Sequence, residues 1–343
     1  MSRSAKLKGT ASVIDAVGAY LPSDILTSAA IEQRIDGKGP AGWIEHSTGV
    51  RARRIARADE SGAELAYRAV LDLLHHSTYR IDDVDCIIYS AALPDLVEPA
   101  TAHILQEKLG SHAVVFDVSN ACNGFLTGLK IADAFIRTGI HSCILIAAGE
   151  RLTSTIPWHL LATCENPKKH ISALTVGDGA GAALVVPRPK ESDRERGILA
   201  LEMLSDSSLW RACTLAGRGS LEPNDLTRDY LICDARPLFE ASVRYGRDLA
   251  ERVLAKADWD YDDVDLLVPH QVSLQMLKVL TDAFGRGVDL AVNTYPDYGN
   301  VAAANLPIAL DAAQKSGRLG PGKRVFLASG AAGFSLGFAA VRW

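Results

Sequence analysis

"IDDVDCIIYSAA" at residues 81–92 returns, altered but legible, as "YDDVDLLVPHQV" at residues 261–272. From residue 81 to residue 261 the shift is 180 residues. Apolar residues at helical spacing precede each copy, Leu65, Ala69 and Leu73 in one case and Leu249, Val253 and Ala257 in the other, and each copy runs into a short apolar strand. Further along, "NGFLTGLKIADAFIRTGIHSCILIAAGE" and "NLPIALDAAQKSGRLGPGKRVFLASGAA" repeat one order of elements: helix, glycine stop, buried strand. Strands as uniformly apolar as Ile144 to Ala148 and Val325 to Ala328 suit sheets covered by helices on both faces. The expectation is a layered α/β architecture made of one duplicated unit. Its halves are residues 1–187 and 188–343, joined near the polar run "VVPRPKESDRERG" at 185–197.

Composition agrees with two globular core units: 343 residues, 48% hydrophobic and 22% charged. A formal charge of −5 argues against nucleic acid as a partner. No apolar run approaches the roughly 18 residues that span a bilayer, and "MSRSAKLKGT" lacks the apolar stretch of a signal peptide, so a cytoplasmic protein away from membranes is expected. The six cysteines, Cys86, Cys122, Cys143, Cys164, Cys213 and Cys233, show no CxxC spacing that would suggest zinc or a redox pair. Most are expected to be buried reduced thiols, and no metal site is expected.

One cysteine stands apart. "AVVFDV" at 113–118 reads as a strand, while Phe125, Leu129, Ala132 and Ile136 fall at helical spacing, so Cys122 in "VSNACNGF" lies at a helix N-terminus. Unpaired amides and the helix dipole favour an anion there, which predicts a readily ionised nucleophilic thiol, and Gly124 is expected to let a substrate approach. The plainer alternative is a small buried hydrophobe. In "LLVPHQV", Pro269 ends a strand and delivers His270 to the loop beyond, where sheet edges build sites. In "PDYGNVAAANLP", Gly299 permits a tight turn and Asn300 precedes a helical segment. Taken singly, His270 could be a core histidine and Asn300 a helix cap. Together with Cys122 they suit acyl transfer, the cysteine carrying the acyl group while imidazole and carboxamide meet a thioester oxygen as charge builds on it.

On "DVSNACNGF", "VPHQV", "YGNVAAANLP", "VGDGAGAALV" at 176–185 and the C-terminal "GAAGFSLGFAAVRW", the chain resembles the ketoacyl synthase III (FabH-like) branch of the thiolase superfamily over nearly its whole length. That resemblance implies a five-layered αβαβα thiolase fold of two similar halves, an obligate homodimer, and thioester substrates on an acyl carrier protein or coenzyme A, with no further cofactor. It makes Cys122 the acylated nucleophile and His270 and Asn300 the stabilisers of the second substrate's enolate. The Gly333 amide joins that of Cys122 in an oxyanion hole. The glycines of "GDGAG" look structural, since the segment lacks the lysine and spacing of a phosphate-binding loop. Trp43 matches a tryptophan that stacks on coenzyme A in the priming enzymes, Ser47 replaces their arginine, and Ser273 falls where they place a substrate-contacting asparagine. These departures point to carrier-bound substrates, with Arg51, Arg53, Arg54 or Lys278 as docking cations; the plainer reading is solvated surface.

Glu98, in "LPDLVEPATAHILQEKLG", stands where priming synthases place an apolar residue that crosses the dimer interface. The head-to-head condensing enzymes of olefin and α-pyrone biosynthesis carry a glutamate there as general base. The reading favoured at this level is a stand-alone ketosynthase joining two (β-keto)acyl thioesters, giving an α-pyrone in polyketide antibiotic biosynthesis. Its alternatives are a decarboxylative 3-oxoacyl-carrier-protein synthase III, a non-condensing acyltransferase, and a silent partner subunit. Against the base role, Glu98 could be an exposed loop carboxylate before Pro99.

Overall fold

Both copies of the repeated stretch fold the same way. In the first, the Asp83 carboxylate accepts the Arg80 amide at 2.8 Å across a short 3-10 turn, Ile81–Asp83; in the second, Asp263 accepts the Asp260 amide at 2.8 Å across Tyr261–Asp263. Two residues on, Asp85 holds the amides of Ser142 and Cys143 at 2.8 and 3.1 Å, and Asp265 holds that of Arg324 at 2.8 Å. Each aspartate thereby pins the start of the neighbouring strand.

These features belong to a computed structural model that describes residues 11–35, 39–189, 196–216, 220–221 and 229–343. In chain order its strands are β1 (Ser12–Tyr20), β2 (Asp24–Thr27), β3 (Ala52–Ile55), β4 (Cys86–Tyr89), β5 (Val114–Asp117), β6 (Ile144–Arg151), β7 (Asp178–Pro187), β8 (Gly197–Ser205), β9 (Cys213–Leu215), β10 (Leu231–Cys233), β11 (Leu266–Pro269), β12 (Arg324–Ala331) and β13 (Ser335–Arg342). One sheet runs β1-β7-β6-β4-β5 and the other β8-β13-β12-β11, with β2–β3 and β9–β10 as separate two-stranded ribbons. Directions match strand for strand: the first three strands of each sheet are antiparallel to one another, and the next joins in parallel. The first sheet ends on β5, whose place in the second is reduced to an isolated parallel bridge between Leu267 and Ala291. All strands of the first sheet precede or end at Pro187 and all those of the second follow from Gly197; of the polar run between them, residues 190–195 lie outside the described residues.

Side-chain alternation turns two sheets into five layers. Cys86 and Ile88 of β4 and Leu266 and Val268 of β11 face inward, onto a shared core with Leu126, Leu129, Ala132 and Ile136 of helix Gly124–Thr138 and Leu306, Ala309, Leu310 and Ala313 of helix Asn305–Lys315. The intervening Ile87 and Tyr89 face outward, onto Leu65, Ala69 and Leu73 of helix Gly62–His76. Leu267 does the same in the second sheet, against Leu249 and Val253 of helix Ala235–Ala257. The order is helix, sheet, central helix pair, sheet, helix. Strands covered on both faces have no polar side, which is why their sequences are apolar throughout.

Leu129 is fully buried in the central layer, so Leu129→Ala should cost about 2–5 kcal/mol of stability in urea unfolding. Ile140 is 60% exposed, and Ile140→Ala should stay within about 0.5 kcal/mol. Equal losses at the two positions would contradict the layer assignment.

Candidate active site

Each central helix is entered through a 3-10 turn, Ala121–Asn123 before Gly124 and Ala302–Ala304 before Asn305. The first residue of each turn has positive φ without being glycine, Ala121 at 44° and Ala302 at 40°, a conformation that costs on the order of 1–3 kcal/mol and persists where packing enforces it. Here the packing is mutual. A Cβ on Gly124 would stand 2.0 Å from the Ser90 carbonyl oxygen and 3.3 Å from the Ala303 Cβ. The two turns therefore meet at the middle of the molecule. Gly124 serves this approach of backbones rather than admission of substrate, a correction to the expectation from sequence.

The turns are counterparts, but their side chains differ. Cys122 occupies the middle of the first, where the second has Ala303. His270 follows β11 with its amide on Ala328 O at 2.7 Å, just as Ser90 follows β4 with its amide on Ala147 O at 2.8 Å. The next residue along β12, Ser329, donates its hydroxyl to the Cys122 carbonyl at 3.2 Å. Gln271 then ties the loop after His270 to the approach to Asn300. Its amide donates to Asn305 Oδ1 at 2.9 Å, its Nε2 donates to Val292 O at 2.9 Å, and its Oε1 accepts the Thr294 and Tyr295 amides at 2.8 and 2.9 Å. Asn300 is held by backbone bonds to Thr175 O at 2.8 Å and from Gly177 at 3.0 Å, reached through Gly299 at φ 69°. Its Oδ1 accepts the Ala302 amide at 2.9 Å, which leaves the Nδ2 hydrogens as its outward donors. Gly333 sits in the β12–β13 turn at φ 78°, open to approach, and Asn123 fastens that turn through bonds of 3.1 and 2.9 Å to Ser335 O and Oγ. Cys122, His270, Asn300 and Gly333 thus stand on segments that these bonds tie to one another.

Burial sets their protonation. The Cys122 thiol packs against the apolar cluster of Trp43, Leu161 and Val176, which pushes its pKa up to about 12, with the negative charge of Glu150 adding to the rise. Burial outweighs the helix terminus, so Cys122 is held as a thiol near neutral pH, where the sequence led one to expect ready ionisation. His270 is 5% exposed. Neither ring nitrogen has a hydrogen-bond partner among the described residues, and burial lowers its pKa to about 4, opposed by Asn305 beside it without a bond of normal geometry. A neutral imidazole with both nitrogens unsatisfied is costly to bury and can accept a proton or donate to an oxygen.

Glu150 was not singled out from sequence. At the end of β6 it is completely buried and accepts the amides of Ala92, Leu93 and Ala303 at 2.7, 3.3 and 3.2 Å, joining the loop that leads to Glu98 to the turn that follows Asn300. Burial wins over these amide donors and carries its pKa up to about 8. The signal was present only as a charge closing an apolar strand, "ILIAAGE". Gln271 gave a similarly faint signal.

Other expected site residues fall differently. Trp43 is 4% exposed inside the apolar cluster, Lys168 standing 5.9 Å over its ring, and it offers no open face for stacking. The Ser273 hydroxyl caps helix Leu274–Ala283 by accepting the Met276 amide at 3.1 Å, and Ser47 is exposed. Glu98 is exposed on a loop anchored by Asp95, which accepts the Gly62 and Ala63 amides at 2.7 and 2.9 Å. Of the docking cations, Arg53 is excluded: it is 0% exposed, bonded to Leu174 O at 2.6 Å, and burial lowers its pKa to about 10. Arg51 is paired with Asp297 and Lys278 with Asp282, each at 2.8 Å, while Arg54 donates to Pro22 O at 3.2 Å. The cysteines are also less buried than expected, since Cys86 and Cys143 are buried while Cys122, Cys164, Cys213 and Cys233 are half-buried as whole residues, Cys122 with its sulfur on the enclosed side. Among the described residues no three metal-ligating side chains cluster, and no helix is long and apolar enough to cross a membrane.

Comparison with known proteins converges on one group. The family model described as 3-oxoacyl-[acyl-carrier-protein] synthase III matches residues 116–207, and its C-terminal counterpart matches residues 254–343. The beta-ketoacyl-[acyl-carrier-protein] synthase III of Desulfitobacterium hafniense (strain DSM 10664 / DCB-2) is 32% identical over 332 residues, 95% of this chain and 96% of that protein. The enzyme of the same description from Laribacter hongkongensis is 32% identical over 330 residues, covering 95% and 97%. A crystal structure of 3-oxoacyl-(acyl carrier protein) synthase III from Pseudomonas aeruginosa PAO1 overlays with a TM-score of 0.86 at 28% identity, covering 97% and 98% of the two chains, and identifies the five layers as the thiolase fold. A crystal structure of a Xanthomonas campestris OleA variant, at 22% identity and TM-score 0.85 over 100% of both chains, shares that fold.

Because the Cys122 pKa lies near 12, alkylation by iodoacetamide should rise about tenfold per pH unit from pH 7 to 10. A plateau near neutrality would show a resting thiolate instead. Glu150 has a folded pKa near 8 against 4.5 for an ordinary glutamate, so its contribution to stability is complete below the ordinary carboxylate range, declines as pH rises, and is gone above about 8. Urea midpoints should therefore fall between pH 5 and pH 9 more steeply in the wild type than in Glu150→Gln, and parallel profiles would contradict the assignment.

Proposed function

Since this chain belongs to the 3-oxoacyl-[acyl-carrier-protein] synthase III family, and is a condensing acyltransferase, we propose that it forms carbon–carbon bonds through an acyl-Cys122 thioester. The observation that carries this reading is His270: a buried, neutral imidazole with both nitrogens unpaired among the described residues, beside the turn that bears Cys122 at the entrance of a central helix. On loading, the Cys122 proton passes to His270 as sulfur attacks the substrate thioester. The amides of Cys122 and Gly333 receive the oxyanion, and the departing carrier thiol takes the proton back. The second thioester then presents its carbonyl oxygen to His270 and the Asn300 Nδ2 donors. There an enolate forms and attacks the acyl carbon, the bond to the Cys122 sulfur breaks, and the sulfur takes up one proton, from solvent where carbon dioxide is lost or from the α-carbon by way of the base where an α-proton is removed.

How the enolate arises separates two readings. In the first, the second substrate is a carrier-bound β-carboxyacyl thioester that loses carbon dioxide to give a β-ketoacyl product, in keeping with the relatives at 32% identity, which are named beta-ketoacyl-[acyl-carrier-protein] synthase III. In the second, Glu98 removes an α-proton from a β-ketoacyl thioester, and head-to-head condensation gives a diketo chain that closes as an α-pyrone in polyketide antibiotic biosynthesis. The second reading rests on the loop where Glu98 follows Leu96 and Val97, 50% and 78% exposed, an apolar tip suited to insertion into a second copy in a homodimer. The relatives favour the first. A non-condensing transferase would leave the donors of Asn300 without a task. Both readings use carrier-bound chains in the cytoplasm.

Intact-mass analysis with acyl carrier thioesters should show Cys122→Ala unable to load, while His270→Ala and Asn300→Ala load and lose condensation by about 100 to 1000-fold. An Asn300→Ala variant condensing at the wild-type rate would reduce that residue to a cap. Release of one labelled carbon dioxide per product, unchanged in Glu98→Gln, supports decarboxylation. Product without carbon dioxide, lost in Glu98→Gln, supports the head-to-head reaction.

A further inference from the structure

The ribbon β9–β10 pairs Cys213 with Cys233, Thr214 with Ile232 and Leu215 with Leu231. Just outside it the Asp234 amide donates to Ala212 O at 2.7 Å, which makes 212–234 a hydrogen-bonded pair. Antiparallel pairs alternate, so 213–233 is of the non-hydrogen-bonded kind, with Cα atoms about 4.5 Å apart and side chains close on one face. A disulfide accepts Cα separations of roughly 4.4–6.8 Å. Both cysteines are reduced and half-buried.

The ribbon also lies against the nucleophile. Leu231 packs on the apolar cluster that holds Trp43 and Leu174 and that Cys122 also touches. A charge on Cys233 is felt at Cys122, and one on Cys122 is felt at Cys213. We propose that Cys213 and Cys233 form an oxidisable dithiol, a modification site in the wall beside Cys122 that closes to a cross-strand disulfide on meeting a low-molecular-weight disulfide.

The two thiols are not equivalent. They interact across the pair, and the neighbourhood of Cys213 and Ser172 holds the Cys233 thiol below the ordinary cysteine range while that of Cys213 is raised. Cys233 is the attacking sulfur. It displaces one half of the small disulfide, forming a mixed disulfide and releasing one small thiol. The Cys213 sulfur then attacks the Cys233 sulfur, the mixed bond breaks, and the second small thiol leaves with the Cys213 proton. Two protein thiols are oxidised and one disulfide is reduced to two thiols. Cys122, its thiol pushed up to about 12, reacts behind them.

Oxidised glutathione added to the full-length protein at neutral pH is the test, read by intact mass and by peptide mapping without reduction. The expected result is loss of two hydrogens, a peptide cross-link between Cys213 and Cys233, and a Cys122 that later alkylates normally. Cys213→Ser, which lacks the resolving thiol, should retain one glutathione on Cys233, and Cys233→Ser should form neither product. Absence of the cross-link from the wild type, glutathione on Cys122 first, or a Cys213→Ser protein with Cys233 unmodified would each overturn the proposal.

Discussion

The site exists because two helix entrances can touch. Between the sheets, Gly124 lies so near the Ser90 carbonyl that a Cβ there would stand 2.0 Å from its oxygen, and the turns Ala121–Asn123 and Ala302–Ala304 close on each other across that gap. The strained alanines that open both turns are held by this contact. Move the turns apart and Cys122 leaves the neighbourhood of His270 and Asn300, which are carried by the other half of the chain. One close approach of backbone therefore fixes the relative position of groups far apart in sequence.

Duplication supplies the scaffold, and divergence supplies the chemistry. At matching places the first half has Cys122, Ser90 and Glu150 and the second has Ala303, His270 and Ala331. Neither half holds both the sulfur and the imidazole. Burial then keeps both neutral: desolvation penalises thiolate and imidazolium alike, and the charge of Glu150 further disfavours the thiolate. A neutral pair costs less to hold in an apolar setting than an ion pair.

Much of this was legible in the sequence because it is written in local periods. Uniformly apolar runs such as Ile144 to Ala148 mark strands covered on both faces, the stripe of Leu129, Ala132 and Ile136 has the period of a helix, and the 180-residue echo repeats the whole unit. The places of Cys122, His270 and Asn300 at the ends of strands and helices were readable too. What escaped depends on contacts between distant segments. No spacing reveals that Glu150 collects amides from two loops, that Gln271 bridges to Tyr295, or that Cys213 faces Cys233 across a ribbon. The thiol's protonation was misjudged because a helix terminus can be read from pattern and burial cannot. Arg53 was misjudged likewise: a charged residue reads as surface until Leu174 O and Ser28 Oγ are seen to receive it in the interior.

That buried arginine shows how the site is enclosed. Arg53 on β3 donates to the carbonyl of Leu174, the next residue, Thr175, accepts the Asn300 amide through its own carbonyl, and Asn300 O accepts the amide of Gly177, two residues further on. The ribbon β2–β3, the segment 174–177 and the Asn300 loop are thus stitched side by side by donors shut away from water. Each of those bonds has a replacement cost, since an amide or guanidinium left unpaired there loses its solvation without return. The backbone groups of these segments satisfy one another, whereas His270 has neither ring nitrogen bonded among the described residues, and that contrast of a closed wall and an open imidazole sets it apart from its surroundings.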